Sequence, residues 1–380
     1  MKNRIFTTIL LIVWLMSLSV GPVGAKDSGY TVTDLGTLGG ASSFPQAINQ
    51  GGQVVGYSIT ASGERHGFLW ENGMMTDLGT LGGNYSWAFA INEQEQVVGE
   101  STTASGERHA FLWDAGTMID LGTLGGDSSV ARAINKHGQV VGTSSIASGS
   151  LRAFLWENGM MTDLGTLGGG YSISIDINDH GQVVGFGTVA SGEEHAFFWE
   201  NDMMIDLVTL GGSFSIPSDI NEHGQVVGYS DTASGEYHAF LWEKGTMTDL
   251  GTLGGDRSSA QDINNHGQVV GDSNTVTGEF RPSLWEKGTI TDLGTLGAAS
   301  SKAIAINERG QVVGFSYNAL YEVHAFFWEK GIMTDLGTLG NDWSYAVQIN
   351  NRGQIVGYSL NPITFSQTRA LLWEKQTGKK

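Results

Sequence analysis

His66 to Gly83 reads His-Gly-Phe-Leu-Trp-Glu-Asn-Gly-Met-Met-Thr-Asp-Leu-Gly-Thr-Leu-Gly-Gly. Asn72-Gly73 between two apolar runs predicts a two-residue type I′ turn, since both residues tolerate positive φ. That turn fixes a register. Glu71 falls opposite Met74, Trp70 opposite Met75 and Phe68 opposite Asp77. His66 and Asp77 become diagonal neighbours on one face, within hydrogen-bond reach. Upstream, Val54-Val55 follows an Asn49-Gln50-Gly51-Gly52 turn, and a loop at Ala61-Ser62-Gly63-Glu64 separates it from His66. One unit therefore reads as four short antiparallel strands. They are A (about Phe44–Asn49), B (Gln53–Ser58), C (His66–Glu71) and D (Met74–Leu81). The connections are too short for parallel crossovers.

The unit repeats. Its aspartate recurs every 43 residues from Asp34 to Asp335. Its tryptophan recurs at the same step from Trp70 to Trp328 and returns after 45 residues at Trp373, because residues 359–368 carry a two-residue insertion. An Ile-Asn pair recurs from Ile48-Asn49 to Ile349-Asn350. Four short strands per 43-residue repeat match a β-propeller blade. Strands B and C are apolar on both faces, so each sheet must be covered on both sides, which radial stacking provides. The chain opens with a lone D strand near Tyr30 and ends on A, B and C without a D. The expected fold is all-β: an eight-bladed β-propeller of four-stranded antiparallel blades, closed by the N-terminal strand joining the C-terminal blade. D strands are expected to begin near 30, 74, 117, 160, 203, 246, 289 and 332. A linear solenoid would want polar caps at its ends, and none is visible.

Composition bounds the function. The chain has 380 residues, 56 Gly, 5 Pro, 11 Trp and no Cys, with a net charge of −19. Absence of Cys excludes disulfides, thiolate metal sites and a cysteine nucleophile. The acidity argues against a nucleic-acid partner, which needs Lys and Arg to replace counterions. Lys2 and Arg4, the apolar run Ile5–Val20 and the small residues Val23-Gly24-Ala25 have the layout of a secretory signal peptide over residues 1–25. Residues 26–380 then form one domain, expected to be extracellular or periplasmic, monomeric and without a transmembrane segment.

The triplet His-Ala-Phe stands at 109–111, 195–197, 238–240 and 324–326, with His66-Gly67-Phe68 as a variant. With Asp-Leu-Gly-Thr-Leu-Gly-Gly, Ala-Ile-Asn and Gln-Val-Val-Gly, it resembles the HAF family of extracellular bacterial repeats over about residues 30–374. The triplet departs to Arg152-Ala153-Phe154, Arg281-Pro282-Ser283 and Arg369-Ala370-Leu371. The resemblance implies bacterial secretion and a repeat structure, and carries no catalytic residues with it.

The repeated columns read as architecture. His or Arg faces Asp in all eight copies, ending with Arg369 against Asp34 across the closing seam. A charge-assisted latch explains that restriction better than eight acid–base or metal sites. His137, His180, His223 and His266 lie in A–B turns on separate units, too spread for one ion. No metal site and no cofactor is expected.

Function is sought where the copies differ. The positions flanking a repeated Ser hold Phe44, Tyr85, Trp87, Tyr171, Phe214, Trp343 and Tyr345, mixed with Asp127, Asp256 and Asp342. Aromatic rings beside acids suit sugar rings, so the expected role is binding or adhesion toward a carbohydrate polymer. An acidic face would prefer neutral or cationic ones. The residue before the repeated Ile is Asp176, Asp219 and Asp262 in three consecutive copies. Those carboxylates could serve a glycan hydrolase or lyase, or bond to backbone locally. The loops Tyr317–Tyr321 and Asn361–Phe365 could form a lid or a contact patch, or be drifted copies of the repeat loop. A passive envelope or matrix component is the third reading.

Overall fold

The computed structural model describes residues 29–340, 343–360 and 367–376. The expected leader, Asp342 and the loop at 361–365 lie outside these residues. Among the described residues there are 32 strands and no helix, and no helix long and apolar enough to cross a membrane. The strands fall into repeated antiparallel sets of four. In the first unit these are A Gly39–Ile48, B Val54–Thr60, C Arg65–Glu71 and D Met74–Asp77. D strands begin at Tyr30, Met74, Thr117, Met160, Met203, Thr246, Thr289 and Ile332, as the hairpin spacing predicts.

Asn72 and Gly73 have φ of 50° and 84°, the pair of positive values a type I′ turn requires. The register follows: Glu71↔Met74, Trp70↔Met75, Phe68↔Asp77. Strand D is shorter than its sequence suggests. The Asp77 carboxylate accepts the N–H of Gly79 at 2.7 Å and turns the chain out of the sheet, an Asx-type stop. Strand A is longer. It starts at Gly39 and carries register shifts between Gly39 and Ser43 and between Pro45 and Ala47. These bulges press strand A onto the glycine that ends Gln-Val-Val-Gly. A Cβ on Gly142 would sit 2.0 Å from the Val130 carbonyl oxygen, and one on Gly185 2.1 Å from that of Ile173. Only glycine fits there.

The core lies between units. Phe111 of the second unit packs on Val55, Leu69 and Leu78 of the first, and Phe240 of the fifth on Val184, Ala196 and Phe198 of the fourth. A serine column clamps the same seams. Ser86 Oγ donates to the Gly79 carbonyl at 2.5 Å and accepts the Gly67 N–H at 2.8 Å.

The first and last of the described strands pair. Tyr30–Asp34 pairs antiparallel with the last strand, Thr368–Lys375, from Tyr30↔Lys375 to Asp34↔Leu371. Leu35 is buried with Val356, Ala370 and Leu372. The asparagine of each A–B turn bridges to the next unit. Asn49 Nδ2 donates to the Asn92 carbonyl at 3.2 Å, Asn178 to that of Asn221 at 3.0 Å, and so on to Asn350, which donates to the Asn49 carbonyl at 3.0 Å. Each such asparagine also holds its own turn. Asn178 Oδ1 accepts from the His180 and Gln182 amides, both at 3.1 Å, and Asn178 Nδ2 donates to Gln182 Oε1 at 2.6 Å. Asn178 is 4% exposed. Its replacement by alanine strands buried backbone groups at about 1–3 kcal/mol each. Asn178→Ala is therefore expected to cost about 2–4 kcal/mol in urea unfolding. A loss below about 0.5 kcal/mol would remove the network from the account.

Candidate functional site

The His–Asp latch forms in the register the hairpin sets. Nδ1–carboxylate distances are 2.9 Å for His66–Asp77, 2.8 Å for His109–Asp120, 2.9 Å for His195–Asp206, and 2.8 Å for both His238–Asp249 and His324–Asp335. Arg369 reaches Asp34 at 3.5 Å and Arg152 reaches Asp163 at 3.9 Å. Arg281 departs from the expected pairing with Asp292. Its longer guanidinium meets Glu279 at 2.6 Å instead. Histidines in the A–B turns bond across seams, His180 to Glu222 at 3.3 Å and His266 to Glu308 at 3.2 Å. No cluster of three or more metal-ligating side chains occurs among the described residues.

The three aspartates on strand A serve backbone. Asp219 Oδ2 accepts the Ile263 N–H of the following unit at 2.9 Å, and Asp262 Oδ2 accepts that of Ile306 at 2.8 Å. The Ile177 and Ile220 amides act on Asp176 in the same sense, holding its raised carboxyl down. Gln348 plays the same part for Ile48 at 2.8 Å. Asp219 lies between Asp176 and Asp262 as their shared charged neighbour. Burial first, then the Asp219 charge, push the Asp176 and Asp262 carboxyls well above the usual range. Carboxylate oxygens committed to strand amides of the next unit favour a structural part for this trio.

The aromatic positions divide. Phe44, Trp87 and Tyr345 join one continuous run of rings between units. Its centroid separations are 5.1 Å for Phe315–Tyr345, 4.9 Å for Tyr345–Tyr358, 4.4 Å for Tyr358–Phe44, 5.8 Å for Phe44–Tyr57, 4.9 Å for Tyr57–Trp87 and 5.0 Å for Trp87–Phe89. All seven rings are half-buried. Three of these contacts, Phe315–Tyr345, Tyr358–Phe44 and Tyr57–Trp87, cross from strand B of one unit to strand A of the next; Tyr345–Tyr358 and Phe44–Tyr57 are cross-strand pairs within one unit, and Trp87–Phe89 lies along one strand. Tyr85 flanks the run and donates to Glu100 at 2.6 Å. Burial and then Glu100 push its hydroxyl up to about 12. Tyr171, bonded to Glu194, and Phe214, against Tyr229 and Tyr237, lie apart from it. Trp343 opens its own strand A, half-buried.

Residues beyond the flanking positions complete the run. Tyr57, Phe315 and Tyr358 occupy one variable column of strand B. Their signal in the sequence is that column's own variation, which includes Glu100, Thr143 and Asp272. The net charge also hides local cations. The Arg65 guanidinium lies 4.4 Å over Tyr57 and 5.5 Å over Trp87, and that of Arg132 lies 5.0 Å over Phe89. The Trp87 indole N–H is buried without an acceptor. The arrangement offers stacking faces, guanidinium donors and phenol hydroxyls. Tyr345, raised by burial and by Tyr358 to about 12, stays a donor at neutral pH.

No family model matches the chain, and no curated protein matches it. Among solved structures it is similar to a puromycin-hydrolyzing peptidase of Mycobacterium tuberculosis, with TM-score 0.52 and 12% identity over 84% of this chain and 57% of that one. It therefore spans little more than half of that peptidase. It is also similar to the β-propeller domain of the trilobed protease from Pyrococcus furiosus, with TM-score 0.51 and 10% identity over 77% of this chain and 96% of that one. At such identities the likeness speaks to fold alone. Repeated four-stranded antiparallel sheets and these neighbours together identify the fold as a β-propeller.

Proposed function

We propose that this chain is a secreted eight-bladed propeller of the HAF repeat type, closed by its first strand, that binds a carbohydrate polymer without turning it over. The closed ring draws support from the asparagine chain that returns from Asn350 to Asn49 and from the pairing of Tyr30–Asp34 with the last strand. The binding role rests on the run of seven half-buried rings from Phe315 to Phe89. Pyranose rings present apolar C–H faces that stack on aromatic edges and faces, while their hydroxyls bond to Arg65 and Tyr345.

Retention on insoluble cellulose, chitin and xylan tests this reading. The chain is expected to be retained on at least one polymer without releasing new reducing ends. Trp87→Ala is expected to weaken retention by about tenfold, the equivalent of losing one stacking partner at about 1.4 kcal/mol. Phe214→Ala, which removes a ring outside the run, serves as the packing control and leaves retention unchanged. No retention on any polymer, or equal loss in both variants, would overturn the reading.

A further inference from the structure

The sixth unit breaks the packing rule that the others share. Strand C carries a fully buried phenylalanine at Phe68, Phe111, Phe154, Phe197, Phe240 and Phe326, each 0% exposed. The two exceptions are Ser283 and Leu371. Each phenylalanine fills the seam with the preceding unit, so serine at 283 leaves the seam between the fifth and sixth units short of one phenyl ring. Its neighbours register the deficit. Leu241 and Leu250, on the preceding unit's face of that seam, are only partly buried. Their counterparts in the other units, such as Leu69, Leu112, Leu78 and Leu121, are 7% exposed or less.

A cavity of about 330 Å³ opens there, walled by Leu241, Leu250, Val269 and Trp285, with Asp249 and Glu286 among its polar lining. Trp285 is 3% exposed, yet its indole N–H has no acceptor. The other exception shows a different solution. In the eighth unit Leu371 occupies the phenylalanine position, and the Trp373 indole N–H donates to the Leu336 carbonyl at 3.2 Å. In the sixth unit no such bond forms, and the volume stays open.

We propose that this cavity is a binding site for a small neutral aromatic alcohol. The ring would occupy the place of the missing phenyl group, and a turn of the Trp285 indole, whose N–H is closed off from the empty cavity, would bring that N–H to the oxygen. The volume lies at the small end of ligand pockets, with an apolar wall of Leu241, Leu250, Val269 and Trp285 for the ring and a polar mouth at Asp249, His266 and Glu286. A buried donor without an acceptor selects an oxygen-bearing ring over a bare hydrocarbon. This site is separate from the run of rings and stands without the carbohydrate reading.

Phenol and benzene titrated into the purified chain test the proposal, followed by the Trp285 indole N–H resonance, which Trp285→Phe identifies by its disappearance. Saturable binding of phenol is expected, with a shift of that resonance and benzene at least tenfold weaker. Ser283→Phe, which restores the ring of the other units, is expected to weaken phenol binding at least tenfold. Ser283→Leu follows the eighth unit, guards against misfolding of the first variant and is expected to act likewise. Absence of saturable phenol binding, or binding unchanged in both filled variants, refutes the site. Equal affinity for benzene refutes the part given to Trp285.

Discussion

A chain beginning at Gly39 is expected to lose at least about 5 kcal/mol of unfolding free energy and to associate. The opening strand contributes the five-residue pairing from Tyr30↔Lys375 to Asp34↔Leu371. The bond from the Leu35 amide to the Ala370 carbonyl continues it at 2.9 Å. Leu35, 4% exposed, and the partly buried Leu38 pack on Val356, Ala370 and Leu372, while Tyr30 packs on Phe327 at 5.3 Å between ring centroids. Burial of each such side chain is worth about 1.5–3 kcal/mol. Their removal would also bare the edge of Thr368–Lys375, a template for pairing with another chain. Urea unfolding with light scattering checks both effects. A truncated protein that stays monomeric with an unchanged midpoint would show that the seam is dispensable.

The second large effect concerns pH. Asp176 and Asp262 hold their protons more tightly folded than unfolded, through burial and through the neighbouring Asp219. Above the ordinary aspartate range near 3.9, the native state binds more protons at these positions than the unfolded chain. Their contribution to stability is thus full in acid and falls as pH rises toward the raised values. The slope reaches about 1.4 kcal/mol per pH unit for each group, or about 3 kcal/mol per unit for the two. Asn at both positions keeps an oxygen for the strand amides and carries no proton to lose. The stability of Asp176→Asn/Asp262→Asn minus that of the parent is expected to grow as pH rises above the ordinary aspartate range, in urea unfolding. Taking the difference cancels the remaining acidic residues. A flat difference, or one that shrinks with pH, would contradict the raised values.

Much of the architecture is legible because the repeat is so regular. Asn72-Gly73 sets a turn with one register, and from it the meeting of His66 with Asp77 follows by counting. The pairing of Arg369 with Asp34 follows by extending that count to the ends. Arg281 escaped the same count because a guanidinium on a longer stem has more than one carboxylate within reach. The bulges of strand A were hidden, since they depend on how closely one backbone approaches another, and the glycine of Gln-Val-Val-Gly was their only trace. The asparagine bridges were half visible: the local turn bond is written in Asn-x-x-Gly, but the bond to the next unit needs the spatial neighbour. The aromatic positions show the same limit. Phe44, Trp87 and Tyr345 stand out along strand A, and the A–B register alone sets Phe44 opposite Tyr57 and Tyr345 opposite Tyr358, but the contacts Tyr57–Trp87, Phe315–Tyr345 and Tyr358–Phe44 need the stacking of units. Ser283 was legible as a departure from the triplet. That it leaves a void depends on what the preceding unit presents.

The pairing of Tyr30–Asp34 with Thr368–Lys375 sets an order of events during synthesis. Among the described strands, the first to be made must wait for the last. Every other outer strand is tied to its mate by a two-residue turn and zips at once, at negligible loop cost. The internal C strands would accept the opening strand in the same register, but each is already occupied by its own hairpin partner when it becomes available. The final C strand alone arrives unmated. Among near-interchangeable copies, timing rather than affinity selects the correct match.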